Sequence, residues 1–416
     1  MGRRGPIIGD NPATQQSTGQ YGKAVSNPYV DPYTPNELSQ DPGTRIARRL
    51  DLSTAAAVEL QQLMLEDLDV ELGGIRWWHE SMSKARSILI GDYMVAVTDG
   101  IPANVLEAAL HVRELGLAEE RLAERFRVHA RAGGPPGTIP TPESPADELP
   151  LILIPMHIAG AFRAMATALD CLAAVVVSVV GLRFALIRAS WGPVMKDLQR
   201  LADSSETEPA GMSRQGEFAR QFLRVLDESG PSGWLQWTLD LRNMVVHRAR
   251  ILTAHHVRVR GSGSGLQFPR DVAIGLIETP LALPARPDLS EVDAIRLLGD
   301  LSQLLMTEPG AVTTRSALKS TQHLVDGTCL LLATLWKERR ADPKLIEQPA
   351  TIQWPVLTEK STASFAGYDP RSLPFDPGLF WANQVTKLRF ASAFLDDERI
   401  ALWPGLIRDA QNEDKR

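Results

Sequence analysis

The chain has 416 residues, of which 44% are hydrophobic and 23% charged, and its formal net charge is −6. This balance is typical of a globular protein with room for two or three domains, and it excludes a protein that coats nucleic acid through a broadly basic surface. The only two cysteines, Cys171 and Cys329, provide neither a disulfide framework nor a zinc-ribbon spacing. Both thiols are expected to be reduced and buried in a cytoplasmic protein.

The N-terminal residues differ in composition from the block that follows them. Residues 1–45 are rich in Pro, Gly, Asn, Gln and Ser, so they are predicted to be a disordered arm or one that orders against a partner. No apolar run follows the first charged residues, so no secretory signal is expected. Residues 46–132 have a helical pattern dominated by Leu and Ala. Because the residue before a proline avoids the α region, Ile101-Pro102 is predicted to separate two helices of this block.

A Gly/Pro-rich stretch, residues 133–149, is predicted to be a linker to a second domain over 150–340. This domain opens with a helix predicted at 151–187. The apolar side chains of that helix fall on one stripe, which consists of Phe162, Met165, Leu169, Leu172 and Val176. The longest apolar run, Cys171 to Leu182, is well short of the roughly 20 residues needed to cross a bilayer, so a buried core helix is expected.

The rest of the chain continues the helical pattern, with one interruption. Further helices are predicted at 193–203, 213–228, 232–249, 290–305 and 313–338. Residues 251–279 predict a β-hairpin, since Val257 and Val259 alternate with arginines and a Gly/Ser loop follows. Residues 341–416 are predicted to form an irregular tail with one helix near 379–396. The expected fold is mainly α: a helical bundle with a small β-hairpin insertion, preceded by a helical block and followed by the tail.

The helix predicted at 232–249 sorts its side chains into three faces. The core face carries Trp234, Trp237, Leu241, Met244 and Val245. The second face is a polar stripe made of Gln236, Asp240, Asn243, His247 and Arg250. A purely structural helix does not need a continuous polar stripe that contains an imidazole. Arg242 lies on a third flank, which is predicted to be exposed and to contact a second chain through Leu235, Leu239 and Val246.

Arg242, Asn243 and His247 form an Arg-x4-His pattern with a polar residue directly after the arginine. In this the chain resembles the HEPN ribonucleases, helical bundles that carry such a motif on a late helix, and the resemblance covers residues 150–340. The apolar helix upstream of the motif is also similar to the core helix of those bundles. The resemblance implies metal-independent RNA cleavage with no cofactor, in the manner of bacterial toxins or anti-phage effectors. One departure is Ala249, where some family toxins carry a tyrosine, so regulation through that tyrosine does not apply.

The residue types of the motif suit RNA cleavage by the neighbouring 2′-hydroxyl. Such cleavage needs a group that takes up a proton near neutral pH, and a histidine such as His247 has an ordinary pKa of about 6.5. Arg242 is predicted to stabilise the charge on the phosphorane, Asn243 to orient the imidazole or the phosphate, and Asp240 to hold the stripe in register. Residues 242–270 contain arginines and no acid, so RNA phosphates are predicted to bind at Arg248, Arg250, Arg258 and Arg260.

The spacing of the motif predicts a homodimer. Arg242 and His247 lie about 140° apart around a helix of roughly 3.6 residues per turn, so one helix does not easily direct both side chains at one phosphate. Two copies related by a two-fold axis through the 235–247 helix would bring the arginine of one to the histidine of the other. Beyond RNA and a second copy, the expected partners are a protein inhibitor or a larger complex, and no membrane.

Two other functions fit the same sequence. A short Arg-x4-His string arises easily by chance, as a second match from Arg250 to His255 illustrates. The main alternative is therefore a non-catalytic helical interaction or RNA-binding protein, and a third is a structural component of a larger assembly. No metal site is predicted, because adjacent residues such as His255 and His256 point to opposite faces of a strand.

Overall fold

The computed structural model describes residues 55–69, 71, 73–133, 141–142, 144–203, 210–247, 252–258, 273–279 and 310–346. For residues 210–213 and 244–247 and for the strands at 252–258 and 273–279, it describes the backbone alone. The arm predicted at 1–45 and the helices predicted at 290–305 and 379–396 lie outside the described residues, as does the tail beyond Ile346.

The described part of the chain is mainly helical, with a small β-hairpin, as the sequence predicts. Its helices are α1 (Ala55–Asp67), α2 (Lys84–Arg131), α3 (Pro145–Val180), α4 (Trp191–Ala202), α5 (Ala210–Ser229), α6 (Trp234–His247) and α7 (Gly310–Ala341). Its strands are β1 (Leu68–Asp69), β2 (Gly74–Ile75), β3 (Leu252–Arg258) and β4 (Ala273–Thr279). Short 3₁₀ turns occupy Arg76–Glu80 and Leu186–Arg188.

The two longest helices, α2 and α3, form an antiparallel helical hairpin. Gly100 of α2 lies against Cys171 of α3, and at the opposite end Arg125 lies beside Asp147. A capping box at Ser144 begins α3 at Pro145, within the stretch expected to be linker. Gly181, with a left-handed φ of 71°, ends the helix. The apolar stripe predicted for α3 is buried throughout.

The predicted helix break at Ile101-Pro102 is wrong, because α2 continues through Pro102 as one helix of 48 residues. An internal proline costs a helix about 3 kcal/mol, since it removes one hydrogen bond and crowds the preceding turn. The side chains around it offset this cost: Ile101 and Val105 are buried within the hairpin. Packing along both helices therefore outweighs the local preference that the sequence pattern expressed.

Helix α7 lies along the hairpin, parallel to α3. Its first residues, Gly310 and Ala311, contact Glu119 of α2, and its far end reaches the end of α3 through Arg339. The Arg339 guanidinium is buried and donates to the carbonyls of Ser178 and Val179 at 2.9 and 2.8 Å, which satisfies the last turn of α3. Burial lowers the pKa of Arg339 to about 10.

The helical block before the linker shares its core with the helices that follow. Asp67 at the end of α1 accepts hydrogen bonds from the indoles of Trp77 and Trp336 at 3.2 and 2.7 Å. The Arg340 guanidinium donates to the same carboxylate at 2.8 Å. Trp336 packs edge-on against Trp77 and Trp78. The C-terminal end of α7 is thereby attached to the first helix of the described chain.

Among the described helices, α3 is long and apolar enough to cross a membrane, and 78% of its most apolar window is buried inside the protein. The predicted β-hairpin forms as well: β3 and β4 pair in antiparallel register, with Leu252 opposite Thr279 and Arg258 opposite Ala273. Helix α6, which carries the Arg-x4-His motif, precedes this hairpin and packs on α3 through an edge-on contact between Trp237 and Phe162.

Candidate functional site

The motif helix α6 begins at a sharp turn. Gly233 has a left-handed φ of 82°, which few side chains tolerate, and its carbonyl accepts the Trp237 amide hydrogen at 3.0 Å. Trp234 and Leu241 are buried, and Trp237 is half-buried against Phe162. The predicted core face of this helix is therefore confirmed for its described side chains. That packing determines which residues of α6 face solvent.

The polar stripe lies on the outer side of α6. Gln236 and Asn243 are exposed and Asp240 is half-buried. The Gln236 amide donates to the Asp240 carboxylate at 2.8 Å, one helical turn along. The described part of the stripe thus lies on the solvent side of the helix. Asp240 therefore has a partner within its own helix, and its predicted role in holding the stripe in register stays a prediction.

The half-buried Arg242 and the exposed Asn243 form a pair on α6. The Arg242 guanidinium donates to the Asn243 amide oxygen at 2.9 Å. An arginine side chain only donates hydrogen bonds, and the amide nitrogen of the asparagine adds two further donor hydrogens. Such a pair of donors is complementary to phosphate oxygens. Asn243 therefore orients the arginine in this structure, whereas the sequence predicted that it orients the imidazole or the phosphate.

His247 is the last residue of α6, and its side chain lies outside the described residues. Helical backbone from Arg242 to His247 keeps the two residues at the spacing that the sequence predicted, about 140° apart around the axis. Arg248, Arg250 and Arg260, predicted to bind phosphate, lie outside the described residues. Arg258 ends β3, where only the backbone is described.

The prediction of an exposed apolar flank on α6 is wrong for the two leucines described. Leu235 is only 8% exposed and belongs to the core of its own chain, and Leu239 packs against that core. The reason is that α6 lies against both α3 and α7, so two of its faces are covered instead of one. A dimer interface through these leucines would require the core to open. The homodimer itself stays a prediction, and any contact between copies must use another surface.

Several interacting polar groups escaped the sequence analysis because their partners are far apart in the chain. His111 and His157 meet across the α2–α3 hairpin, with their Nδ1 atoms 2.9 Å apart. Glu119 accepts the Ala311 amide hydrogen at the start of α7, at 3.1 and 3.2 Å to its two oxygens. Burial raises the pKa of Glu119 to about 7. The one signal available was the linker between two long helices, which predicts that they fold back on each other.

Within the described residues, no group of three or more His, Cys, Asp or Glu side chains is arranged to hold a metal ion. Burial raises the pKa of the half-buried Cys171 thiol to about 11, and the buried Cys329 thiol is also shifted upward, so neither is an activated nucleophile. A scan against protein-family models finds no match, and searches of curated proteins and of solved structures find none either.

Proposed function

We propose that this protein is an endoribonuclease that cleaves RNA without a metal ion, at a site formed by Arg242, Asn243 and His247. The observation that supports the proposal is the solvent-facing Arg242–Asn243 pair on the helix that ends at His247. Polar side chains in this arrangement contribute little to the core of the bundle. They are instead arranged to meet an anionic ligand from outside.

The proposed reaction uses the RNA's own 2′-hydroxyl as the nucleophile. His247 removes the proton of that hydroxyl, a bond forms between the 2′-oxygen and phosphorus, and Arg242 stabilises the additional negative charge on the phosphorane. The bond between phosphorus and the 5′-oxygen then breaks, and that oxygen takes up a proton. The products are a 2′,3′-cyclic phosphate and a 5′-hydroxyl end.

The proposed active form is a homodimer, since the motif's two side chains diverge around α6. An arginine and a histidine about 140° apart on one helix do not reach the same phosphate easily. Two copies related by a two-fold axis place the arginine of one chain near the histidine of the other. Because Leu235 and Leu239 are in the core, we propose that the copies meet through the polar side of α6, close to Asn243.

The experiment that tests this function is an RNA digest in excess EDTA, with analysis of the product ends. We expect cleavage to persist in EDTA and to leave 2′,3′-cyclic phosphate ends. His323, an exposed histidine on α7, provides the matched control: His323→Ala should cleave like the wild type, whereas His247→Ala should not. Ends with a 5′-phosphate, or activity that only Mg²⁺ restores, would assign the cleavage to different chemistry.

A second candidate function, a helical interaction protein, is favoured by an apolar stripe on α3. Leu149, Ile152 and Met156 are 44, 61 and 49% exposed. Their i, i+3, i+7 spacing places them on one side of α3, away from the buried Ile154 and Ile158. Exposed apolar side chains grouped in this way are typical of contact surfaces between proteins. If this is the main function, Ile152→Glu should abolish complex formation on a sizing column, and His247→Ala should leave it intact.

A further inference from the structure

Two histidines, His111 of α2 and His157 of α3, are in direct contact across the α2–α3 hairpin. The Nδ1 atoms of His111 and His157 are 2.9 Å apart, and the ring centroids are 5.2 Å apart. That centroid distance equals the nitrogen–nitrogen distance plus one ring radius at each side, so both Nδ1 atoms lie close to the line that joins the rings. This is the geometry of one imidazole donating to the other. Two imidazoles that shared a metal ion would instead converge at an angle on a third point.

Charged neighbours determine which imidazole donates. The Glu107 carboxylate lies 3.7 Å from Nε2 of His111 and is itself paired with Arg163 of α3. A carboxylate on that side favours a hydrogen on Nε2, so the Nδ1 atom of neutral His111 accepts. His157 then donates from its own Nδ1. The remaining charge that acts on His157 is Glu114 of α2, which favours a protonated His157.

The backbone of α3 is shaped to admit the His111 ring. A Cβ atom at Gly160 would lie 2.5 Å from the ring of His111, which is closer than real Cβ atoms approach. Any larger residue at 160 would therefore push His111 away from His157. The contact between the two imidazoles therefore depends on this glycine. The contact is part of the packing of α2 on α3.

We propose that the His111–His157 pair is a proton-sensitive latch that stabilises the packing of α2 on α3 at neutral pH and weakens it on acidification. In the neutral pair, one imidazole donates and the other accepts. One added proton is tolerated, because the resulting imidazolium still donates to its neutral partner. The second proton breaks the contact, since both Nδ1 atoms then carry hydrogen and both rings carry positive charge. The two imidazoles therefore titrate as a coupled pair.

The electrostatics of the hairpin agree with this latch. Burial lowers the pKa of His111, with Glu107 raising it and Arg163 lowering it by smaller amounts. Burial also lowers the pKa of His157, to which the neighbouring His111 adds a further lowering. A group whose pKa is lower in the folded state than in the unfolded chain favours folding above its ordinary pKa. That contribution is lost as the pH falls from about 6.5 through the folded-state pKa.

Hydrogen exchange of the full chain between pH 7.5 and 5.0 tests the proposal. After correction for intrinsic exchange, the amides of the α2–α3 hairpin report an opening constant. We expect this constant to rise as the pH falls, by up to about tenfold per pH unit for each imidazole that gains its proton only when the hairpin opens. His111→Gln and His157→Gln should each make this dependence shallower. Glutamine both donates and accepts, so it gives the remaining histidine a partner in either protonation state. His323→Gln, on the exposed side of α7, should follow the wild type.

Two results would overturn the latch. One is an equal pH dependence in the wild type and in both glutamine variants, because the pair would then contribute nothing to it. The other comes from the wild type alone, by NMR titration of its imidazole Cε1 protons, and does not depend on how well the variants fold. The latch requires a titration in two coupled steps that both imidazoles report, with the second step below the ordinary value of about 6.5, whereas two independent titrations near that value would exclude it.

Discussion

Helices α2 and α6 both carry many polar side chains, but these side chains find their partners in different places. On α2, Glu107 pairs with an arginine of α3, His111 with a histidine of α3, and Glu119 with the first amides of α7. On α6, Gln236 pairs with Asp240 and Arg242 with Asn243, so each described pair stays within its own helix. The polar groups named on α2 connect helices, whereas Gln236 and Asn243 of α6 lie on the surface.

The difference separates two uses of polar residues in one bundle. A polar side chain between helices loses its water and must be satisfied inside the protein, so its removal changes stability. An exposed polar side chain, such as Gln236 or Asn243, keeps contact with solvent, and a ligand can replace its water at small cost. Substitutions on α2 should therefore act on folding and on pH dependence, whereas substitutions on α6 should act on function.

The largest effect should come from the motif on α6. Arg242→Ala and His247→Ala should each reduce the rate of RNA cleavage by about 10²–10⁴-fold, the usual cost of removing a general base or a charge beside the phosphorane. Both variants should keep a cooperative urea unfolding transition, so that the lost rate is that of a folded protein. Single-turnover cleavage and urea unfolding measure the two quantities. Gln236→Ala is the control on the same exposed stripe and should retain most of the rate.

A result with the opposite pattern would break the comparison between the helices. If Arg242→Ala unfolds the protein while its remaining folded fraction cleaves at the normal rate, the Arg242–Asn243 pair is a structural contact like those of α2. His255→Ala adds a check on the choice of motif. If that variant is the inactive one, the second match, from Arg250 to His255, is the functional motif.

The next largest effect concerns Glu119, whose carboxylate lies at the N-terminus of α7. Its pKa of about 7, against an ordinary 4.5, means that the folded state holds a proton there that the unfolded chain has lost. Its contribution to stability is therefore present below pH 4.5 and is lost as the pH rises through 7. Glu119→Gln removes this titration, so the variant should gain up to about 3 kcal/mol relative to the wild type between pH 4.5 and 8.

Unfolding by urea at several pH values measures the gain from Glu119→Gln. The His111–His157 pair changes stability in the opposite direction over part of the same range, but it is present in both proteins and cancels in the difference. A stability difference that stays constant with pH would show that the Glu119 carboxyl ionises normally despite its burial. Cleavage at neutral pH should be the same in both proteins, because Glu119 connects α2 to α7 and lies outside the proposed site.

The sequence predicts the helices and strands of this fold better than it predicts the contacts between them. The apolar stripe of α3 and the alternating residues of the β-hairpin are periodic, and periodicity predicts each element correctly. The sequence predicts a helix break at Pro102, because the backbone preference of the residue before a proline takes no account of the packing of Ile101 and Val105. The His111–His157 and Glu119–Ala311 contacts join residues 46 and 192 positions apart, which no local pattern contains.

The motif helix illustrates the same limit within one element. A helical wheel separated the core face of α6 from its polar stripe, and the described side chains agree with that division. It did not show that a second helix covers the flank of Leu235 and Leu239, since a wheel contains no information about neighbours. Leu239→Glu, a natural choice to separate a dimer, should therefore destabilise the chain instead of producing a folded monomer.

The composite site is better tested by mixing two inactive proteins. If Arg242 of one chain acts with His247 of the other, then Arg242→Ala and His247→Ala subunits together form one intact site in each mixed dimer. Half of the dimers in an equal mixture are mixed and each has one of two sites, so about a quarter of the wild-type rate should return. Each variant mixed with itself is the control. A mixture that stays inactive after subunit exchange would place both residues of a working site in one chain.

The smallest effect should come from the ion pair between Glu107 and Arg163, although it joins the same two helices as the latch. Both side chains are largely exposed, 42 and 56%, so water and salt screen their attraction and holding two long side chains in place costs entropy. Glu107→Gln should therefore change the free energy of unfolding at pH 7.5 by less than about 1 kcal/mol, and by less still in 1 M salt. Because Glu107 raises the pKa of His111, the same variant should lower that pKa further and shift the acid weakening of the hairpin to lower pH. A large loss of stability at pH 7.5 would mean that surface contacts, and not only the histidine pair and the apolar core, hold α2 to α3.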